Sequence, residues 1–307
     1  AHGSGVPAGV LHLLPGDGGV GAALVADRRV AGVAFTGSTR TAKAIARALV
    51  ADDDRPLVPL VAETGGLNAL IVDSTALPEQ VVADVITSAF RSAGQRCSAL
   101  RLLVVQEQVA GPILDMLAGA MDTLVLGDPR DPATDIGPVI DAGAHGRLMD
   151  YLATMKGRIV HQLAVPPDLP EGGFFVPPTV IALDRIEDLR QEWFGPLLHV
   201  TTWEGGDIAS VVRRINASGY GLTMGVHSRI AGVAATVEAE TRAGNLYVNR
   251  SMIGAVVGSQ PFGGEGLSGT GPKAGGPHYL LRFATERVTS TDTTSAGGNA
   301  SLLSIEA

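Results

Sequence analysis

VAGVAFTGSTRTAKAIARALV, Val30 to Val50, leads through Asp52-Asp53-Asp54 into LVPLVAETGG, Leu57 to Gly66. Val30 to Phe35 is a short apolar run with β-branched residues, whereas Arg40 to Val50 spaces its apolar residues three and four apart. The first pattern is that of a strand and the second that of an amphipathic helix. Leu57 to Ala62 reads as another strand, which makes the stretch a βαβ unit. At the turn into the helix, Thr36-Gly37-Ser38-Thr39 offers hydroxyls for an N-cap, and the free N–H groups of a helix start also favour a phosphate. The two uses are compatible. There is no GxGxxG, so the ordinary Rossmann fingerprint is absent.

Outward from this unit the same alternation continues. Strands are expected at Asn68 to Val72, Arg101 to Gln106, Leu197 to Trp203, Thr223 to His227 and Leu246 to Asn249. Helices are expected from Pro78 to Ala93, Val109 to Leu124, Ala142 to Met155, Ile208 to Asn216 and Ala231 to Arg242, Pro78 suiting a first helical position because it has no N–H to satisfy. Strands alternating with helices define an α/β protein with a largely parallel sheet. From Gly254 the composition turns to Gly, Ser and Pro, but Val256, Val257, Phe262, Leu280, Leu281 and Phe283 supply apolar anchors. An ordered, ligand-contacting loop is therefore expected rather than a linker.

The chain has 307 residues, 45% of them hydrophobic, with a formal net charge of -8 and one cysteine. The absence of a Lys/Arg block argues against an electrostatic nucleic-acid footprint. One cysteine excludes an internal disulfide and a CxxC motif, and suits a reducing cytoplasm. No signal-peptide pattern or long apolar stretch is present, so a soluble, cytoplasmic protein without a membrane-spanning segment is expected. The seven histidines form no HxH or HExxH pair, and no metal site is expected. The chain starts with Ala1 inside a loop-like stretch, which suggests a fragment.

Two side chains stand out for chemistry. Cys97, in Gly94-Gln95-Arg96-Cys97-Ser98, lies between a helix end and a strand start with polar neighbours on both sides. Buried structural cysteines sit within apolar runs instead, so this one is a candidate nucleophile, provided that a base or a lowered pKa supplies its thiolate. Glu63 ends a strand just before Thr64-Gly65-Gly66, at the carboxyl edge where parallel α/β sheets bind ligands.

The motifs Phe35-Thr36-Gly37-Ser38, Glu63-Thr64-Gly65-Gly66, Gly94-Gln95-Arg96-Cys97 and Glu192-Trp193-Phe194-Gly195-Pro196 occur in that order, and together they resemble the aldehyde dehydrogenase superfamily. With the tail Gln260 to Lys273, the chain looks like the glutamate-semialdehyde (1-pyrroline-5-carboxylate) dehydrogenase branch. More narrowly, it is similar to the dehydrogenase domains of bacterial bifunctional proline utilisation proteins. The resemblance implies the aldehyde dehydrogenase fold: a catalytic domain with a parallel α/β sheet at 66–262, the second part of a Rossmann-like NAD-binding domain at 1–65, and a glycine-rich return segment with a C-terminal arm at 263–307.

It also implies roles. Cys97 would attack the aldehyde and carry a thiohemiacetal and then a thioester, which water activated by Glu63 hydrolyses. NAD would lie against Gly37 and Ser38 at its pyrophosphate, Glu192 at its nicotinamide ribose, and Gly65, Gly66 and Phe194 near its nicotinamide. The Ser98 hydroxyl and the N–H groups of Gly254 and Ala255 would anchor the substrate carboxylate, with Phe262 against its aliphatic part. Leu67 departs from the polar residue expected in this branch. The family's earlier strands, and an asparagine of the oxyanion hole, precede Ala1, as would a linked proline dehydrogenase domain with its flavin. The intact protein is expected to be a homo-oligomer, with Thr289 to Asn299 resembling a C-terminal arm. An inactive truncated fragment, and a dehydrogenase for another semialdehyde such as succinate semialdehyde, remain open.

Overall fold

The computed structural model describes residues 2–7 and 9–292. Helix α1 (Gly18–Ala26) opens on an Asp17 cap whose carboxylate accepts from the N–H groups of Gly19 and Val20. Strand β1 (Val33–Thr36), helix α2 (Thr39–Val50) and strand β2 (Leu60–Glu63) follow. Ser38 caps α2 by accepting from the Thr41 N–H, and β1 and β2 pair in parallel with Phe35 opposite Ala62 and Thr36 opposite Glu63. This is the expected βαβ unit, although β1 begins three residues after Val30. Val30 is held in the preceding turn, donating to the Asp27 carbonyl and accepting from the buried Arg55 guanidinium.

The remaining elements are β3 (Ala69–Val72), α3 (Pro78–Phe90), β4 (Leu102–Gln106), α4 (Glu107–Met121), α5 (Ala142–Thr154), β5 (Ile159–Gln162), β6 (Thr179–Ala182), β7 (Leu197–Trp203), α6 (Ile208–Asn216), β8 (Tyr220–Gly221), β9 (Thr223–His227), α7 (Ala231–Glu240), β10 (Asn245–Val248) and β11 (Glu265–Gly266). Seven strands form one sheet in the order β10-β9-β3-β4-β7-β6-β5. Every pair in it is parallel except β5 with β6. Alternate residues face opposite sides: Leu70, Val72, Leu103 and Val105 pack in one apolar cluster with residues of α3, α4 and α5, while Ala69, Ile71, Leu102 and Val104 join residues of α6 and α7 in another. A sheet covered on both faces explains why its strands read as unbroken apolar runs.

Several elements depart from the sequence expectation. Helix α3 stops at Phe90 rather than Ala93, because Ser92, Ala93 and Gly94 all take positive φ. Helix α1 was not anticipated; none of its residues is buried, and its sequence GGVGAALVA holds only glycine and apolar residues, so no alternation with polar residues betrays it. Strands β5 and β6 escaped notice because one alternates only over four residues and the other follows Pro177-Pro178, a pair unable to donate ladder hydrogen bonds. Of the expected C-terminal arm, only 289–292 fall among the described residues. No helix of the described residues is long and apolar enough to cross a membrane. Because Leu103 is fully buried in the central strand β4, Leu103→Ala is expected to lower unfolding free energy by about 2–5 kcal/mol in urea denaturation.

Candidate active site

The C-terminal end of β2 faces the N-terminal edge of the seven-stranded sheet, where the loops entering β4 and β7 lie. A cleft of about 520 Å³ is lined there by Thr36, Gly37, Glu63, Thr64, Gln95, Arg96, Cys97, Ser98, Phe194, Ile253, Gly254, Ala255 and Phe262. Eight of the residues singled out from sequence therefore share one space: Gly37, Glu63, Cys97, Ser98, Phe194, Gly254, Ala255 and Phe262. Ser38, Gly65, Gly66 and Glu192 do not line it. Ser38 is turned to its capping bond, and Glu192 lies behind Gly65 and Gly66.

Glu63 is held by the glycine-rich segment, which is ordered as expected. That segment returns alongside β2: Thr64 N–H donates to the Ser268 carbonyl at 2.9 Å, and Thr270 N–H to that of Ala62 at 2.9 Å. The Gly264 N–H donates to Glu63 Oε2 at 3.0 Å, while the buried Oε1 has no hydrogen-bond partner among the described residues. A Cβ on Gly263 would lie 2.6 Å from Oε1, so only glycine lets this backbone approach so closely. Burial pushes the Glu63 carboxyl up to about 7, against the opposing pull of the Gly264 N–H and Lys273. A carboxyl group poised near neutrality is suited to take a proton.

Cys97 follows the left-handed residues Ser92, Ala93 and Gly94. Such conformations are costly for residues with a side chain, and here they fold the chain back sharply to present the thiol. A Cβ on Gly94 would come within 2.0 Å of the Gly195 carbonyl oxygen, so this glycine permits the loops before β4 and β7 to touch. From below, buried Asn68 donates to the carbonyls of Cys97 at 2.6 Å and Ala99 at 2.9 Å, and accepts from the Thr223 N–H. The half-buried thiol is pushed up, first by burial and then by the Glu192 carboxylate, while the N–H groups of Ser98 and Cys97 pull the other way. It therefore rests protonated near neutral pH.

Two residues of the site gave no signal in sequence. Arg101, expected merely as the first residue of a strand, is fully buried, and its guanidinium bonds Glu192 Oε1 at 3.2 Å. Asn68, also read as the start of a strand, is the support just described. Their partners are mostly backbone carbonyls, which leave no pattern in a sequence. Among the described residues no group of three or more His, Cys, Asp and Glu is placed to hold a metal ion.

Residues 1–289 match the family model of the aldehyde dehydrogenase family, and the chain belongs to that family. It is 56% identical over 295 residues to the bifunctional protein PutA of Klebsiella aerogenes, covering 92% of this chain and 22% of that protein. To the 1-pyrroline-5-carboxylate dehydrogenase of Geobacillus thermodenitrificans it is 38% identical, covering 91% of this chain and 54% of the relative. A crystal structure of a mutant of Bradyrhizobium japonicum proline utilization A superposes with a TM-score of 0.91 at 55% identity, over 97% of this chain and 30% of that one. A 1-pyrroline-5-carboxylate dehydrogenase from Thermus with bound NAD gives 0.84 at 35% identity, over 92% and 55%. The chain thus spans about a fifth of the PutA relative and about half of the 1-pyrroline-5-carboxylate dehydrogenase.

The raised thiol has a direct consequence in solution. Alkylation of Cys97 by iodoacetamide should still accelerate as pH rises past 9, as intact-mass measurement can follow; a rate already constant at pH 8 would contradict the protonated resting state.

Proposed function

We propose that the cleft oxidises L-glutamate 5-semialdehyde, the open form of 1-pyrroline-5-carboxylate, to L-glutamate with NAD, a reaction of proline catabolism. The observation that carries this is the convergence of Cys97 and Glu63 on one cleft, beside a wall formed by Ser98, Gly254 and Ala255. The names of the similar proteins support the substrate. Once its proton has been lost, Cys97 Sγ adds as the thiolate to the aldehyde carbon, making it tetrahedral before oxidation and leaving a thioester afterwards. The Cys97 N–H, which favours the thiolate, is a donor for the new oxyanion. Glu63 takes a proton from the water that cleaves the thioester.

That wall recognises the substrate. No acceptor among the described residues takes the N–H of Gly254 or of Ala255, so both amides are available, with the Ser98 hydroxyl, to a carboxylate. Phe262, fixed by mutual hydrogen bonds with Ala274 at 2.9 and 2.8 Å, offers its ring to the methylenes between.

The residues also fit NAD. The start of α2 presents unpaired N–H groups behind Gly37 and Ser38, and the half-exposed Phe194 ring faces the cleft beside Cys97. Gly65, Gly66 and Glu192 would border the nicotinamide end. Bound there, NAD supplies the hydride acceptor. By the same likeness to the PutA proteins, we place the activity in a cytoplasmic homo-oligomer linked to a proline dehydrogenase domain.

Cys97→Ala is expected to abolish NADH formation from glutamate semialdehyde, and normal turnover would remove Cys97 from the reaction. Since Glu63 must be ionised to act, thioester hydrolysis should increase as pH rises through about 7 and level off above it. Comparing kcat/KM for glutamate and succinate semialdehydes tests the substrate, with glutamate semialdehyde expected to be preferred.

A further inference from the structure

We infer that Arg101 is a positioning residue for the Cys97 chemistry: from inside the fold its guanidinium ties the nucleophile loop to the loop entering β7 and holds the Glu192 carboxylate in register beside them. Every contact of the guanidinium supports this. Nη2 donates to the Arg96 carbonyl, immediately before Cys97, at 3.1 Å, and to Glu192 Oε1 at 3.2 Å. Nη1 donates to the Gly195 carbonyl at 3.1 Å. The guanidinium carbon lies 5.3 Å from the centre of the Phe194 ring, which lines the cleft. One planar fork thus reaches both loops at once, a geometry that the single ammonium of a lysine cannot reproduce.

Arg101 is itself held from behind. Its N–H donates to the Asn68 carbonyl at 3.0 Å, and its carbonyl accepts from the His199 N–H at 2.9 Å. His199 Nδ1 lies 3.1 Å from the same carbonyl. A carbonyl only accepts, so Nδ1 carries the proton and Nε2 accepts from the Tyr151 hydroxyl at 2.9 Å. Burial lowers this imidazole to about 4, which keeps that tautomer neutral. Tyr151 in turn stacks on Trp193 with ring centres 3.8 Å apart, returning the chain of contacts to the loop that carries Glu192.

The charges give the arrangement its leverage. After burial, the Glu192 carboxylate is the largest influence that disfavours the Cys97 thiolate. Arg101 neutralises that carboxylate on the side away from the cleft, and Gly65 makes room for it: a Cβ there would fall 1.7 Å from Glu192 Oε2. With the tie loosened, the Glu192 charge faces the sulfur with less compensation, and the Arg96–Cys97 segment loses an anchor.

The test is the pH profile of Cys97 alkylation by iodoacetamide, read by intact mass, in the unaltered protein and in Arg101→Lys, with circular dichroism confirming that both are folded. The single cysteine makes the label unambiguous. The midpoint in Arg101→Lys is expected to rise by about one pH unit, about a tenfold loss of thiolate near neutrality. A profile superimposable on that of the unaltered protein overturns the proposal. Where Arg101→Lys does not fold, Arg101→Met combined with Glu192→Gln carries the test, because both members of the buried pair are removed together. Its alkylation rate at the high-pH plateau is expected to rise several-fold as the loop is released, and an unchanged plateau overturns the proposal. The inference rests on Cys97 as the nucleophile. A Cys97→Ala protein that still oxidised aldehyde would remove that reading while leaving the alkylation comparison intact, so the two failures are distinguishable.

Discussion

A carboxylate taken out of water at the end of β2 sets the terms for the rest of the site. Among the described residues the Glu63 carboxylate accepts one hydrogen bond, from the Gly264 N–H, and its other oxygen is buried without one. Leaving that oxygen unpaired costs free energy, and the structure sustains it by wrapping the strand in a segment whose backbone can come close only because its residues are glycines. The bonds of Thr64, Ala62 and Thr270 to that segment lock it in place. The outcome is a group that titrates near 7, where it can both accept and release a proton.

The second requirement is a thiol brought to the same place from a different sheet. β2 contributes its C-terminal end, whereas the seven-stranded sheet contributes its N-terminal edge, so the cleft forms between two sheets rather than at the crest of one. The nucleophile loop reaches it through three successive left-handed residues and a contact with Gly195 that only glycine allows. Strain of this kind persists where surroundings over-determine the backbone. Asn68 and Arg101 provide that determination, both from the buried side.

Much of this was legible in the sequence. Strand β7 and helix α6 fall on the residues expected for them, and β3 and β4 each begin one residue late, because long apolar runs and a clear helical period survive burial on both sheet faces. Of the eight cleft residues, Cys97, Glu63 and Gly37 were legible because polar residues flanking a cysteine, a glutamate at a strand end and a turn glycine before a helix are unusual beside apolar strands, whereas Ser98, Phe194, Gly254, Ala255 and Phe262 were implied only by the resemblance to the family. Helix α1 was not legible, since its residues are all glycine or apolar and show no period, and β8 and β11 are too short to show one. Arg101 was the deepest omission. An arginine between Leu100 and Leu102 carries no mark of its function, since most of what it binds is backbone from loops about 5 and 94 residues away.

The central claim is that Cys97 and Glu63 act in sequence on one acyl group. The most direct measurement gives the protein an activated ester, p-nitrophenyl acetate, which acylates a nucleophilic thiol without any cofactor, and locates the acetyl group by peptide mass mapping. In Glu63→Gln the account predicts one burst of p-nitrophenolate and a stable acetyl group on Cys97, while the unaltered protein continues to turn over. Sustained turnover in Glu63→Gln at the unaltered rate, or an acetyl group on any residue other than Cys97, would contradict it.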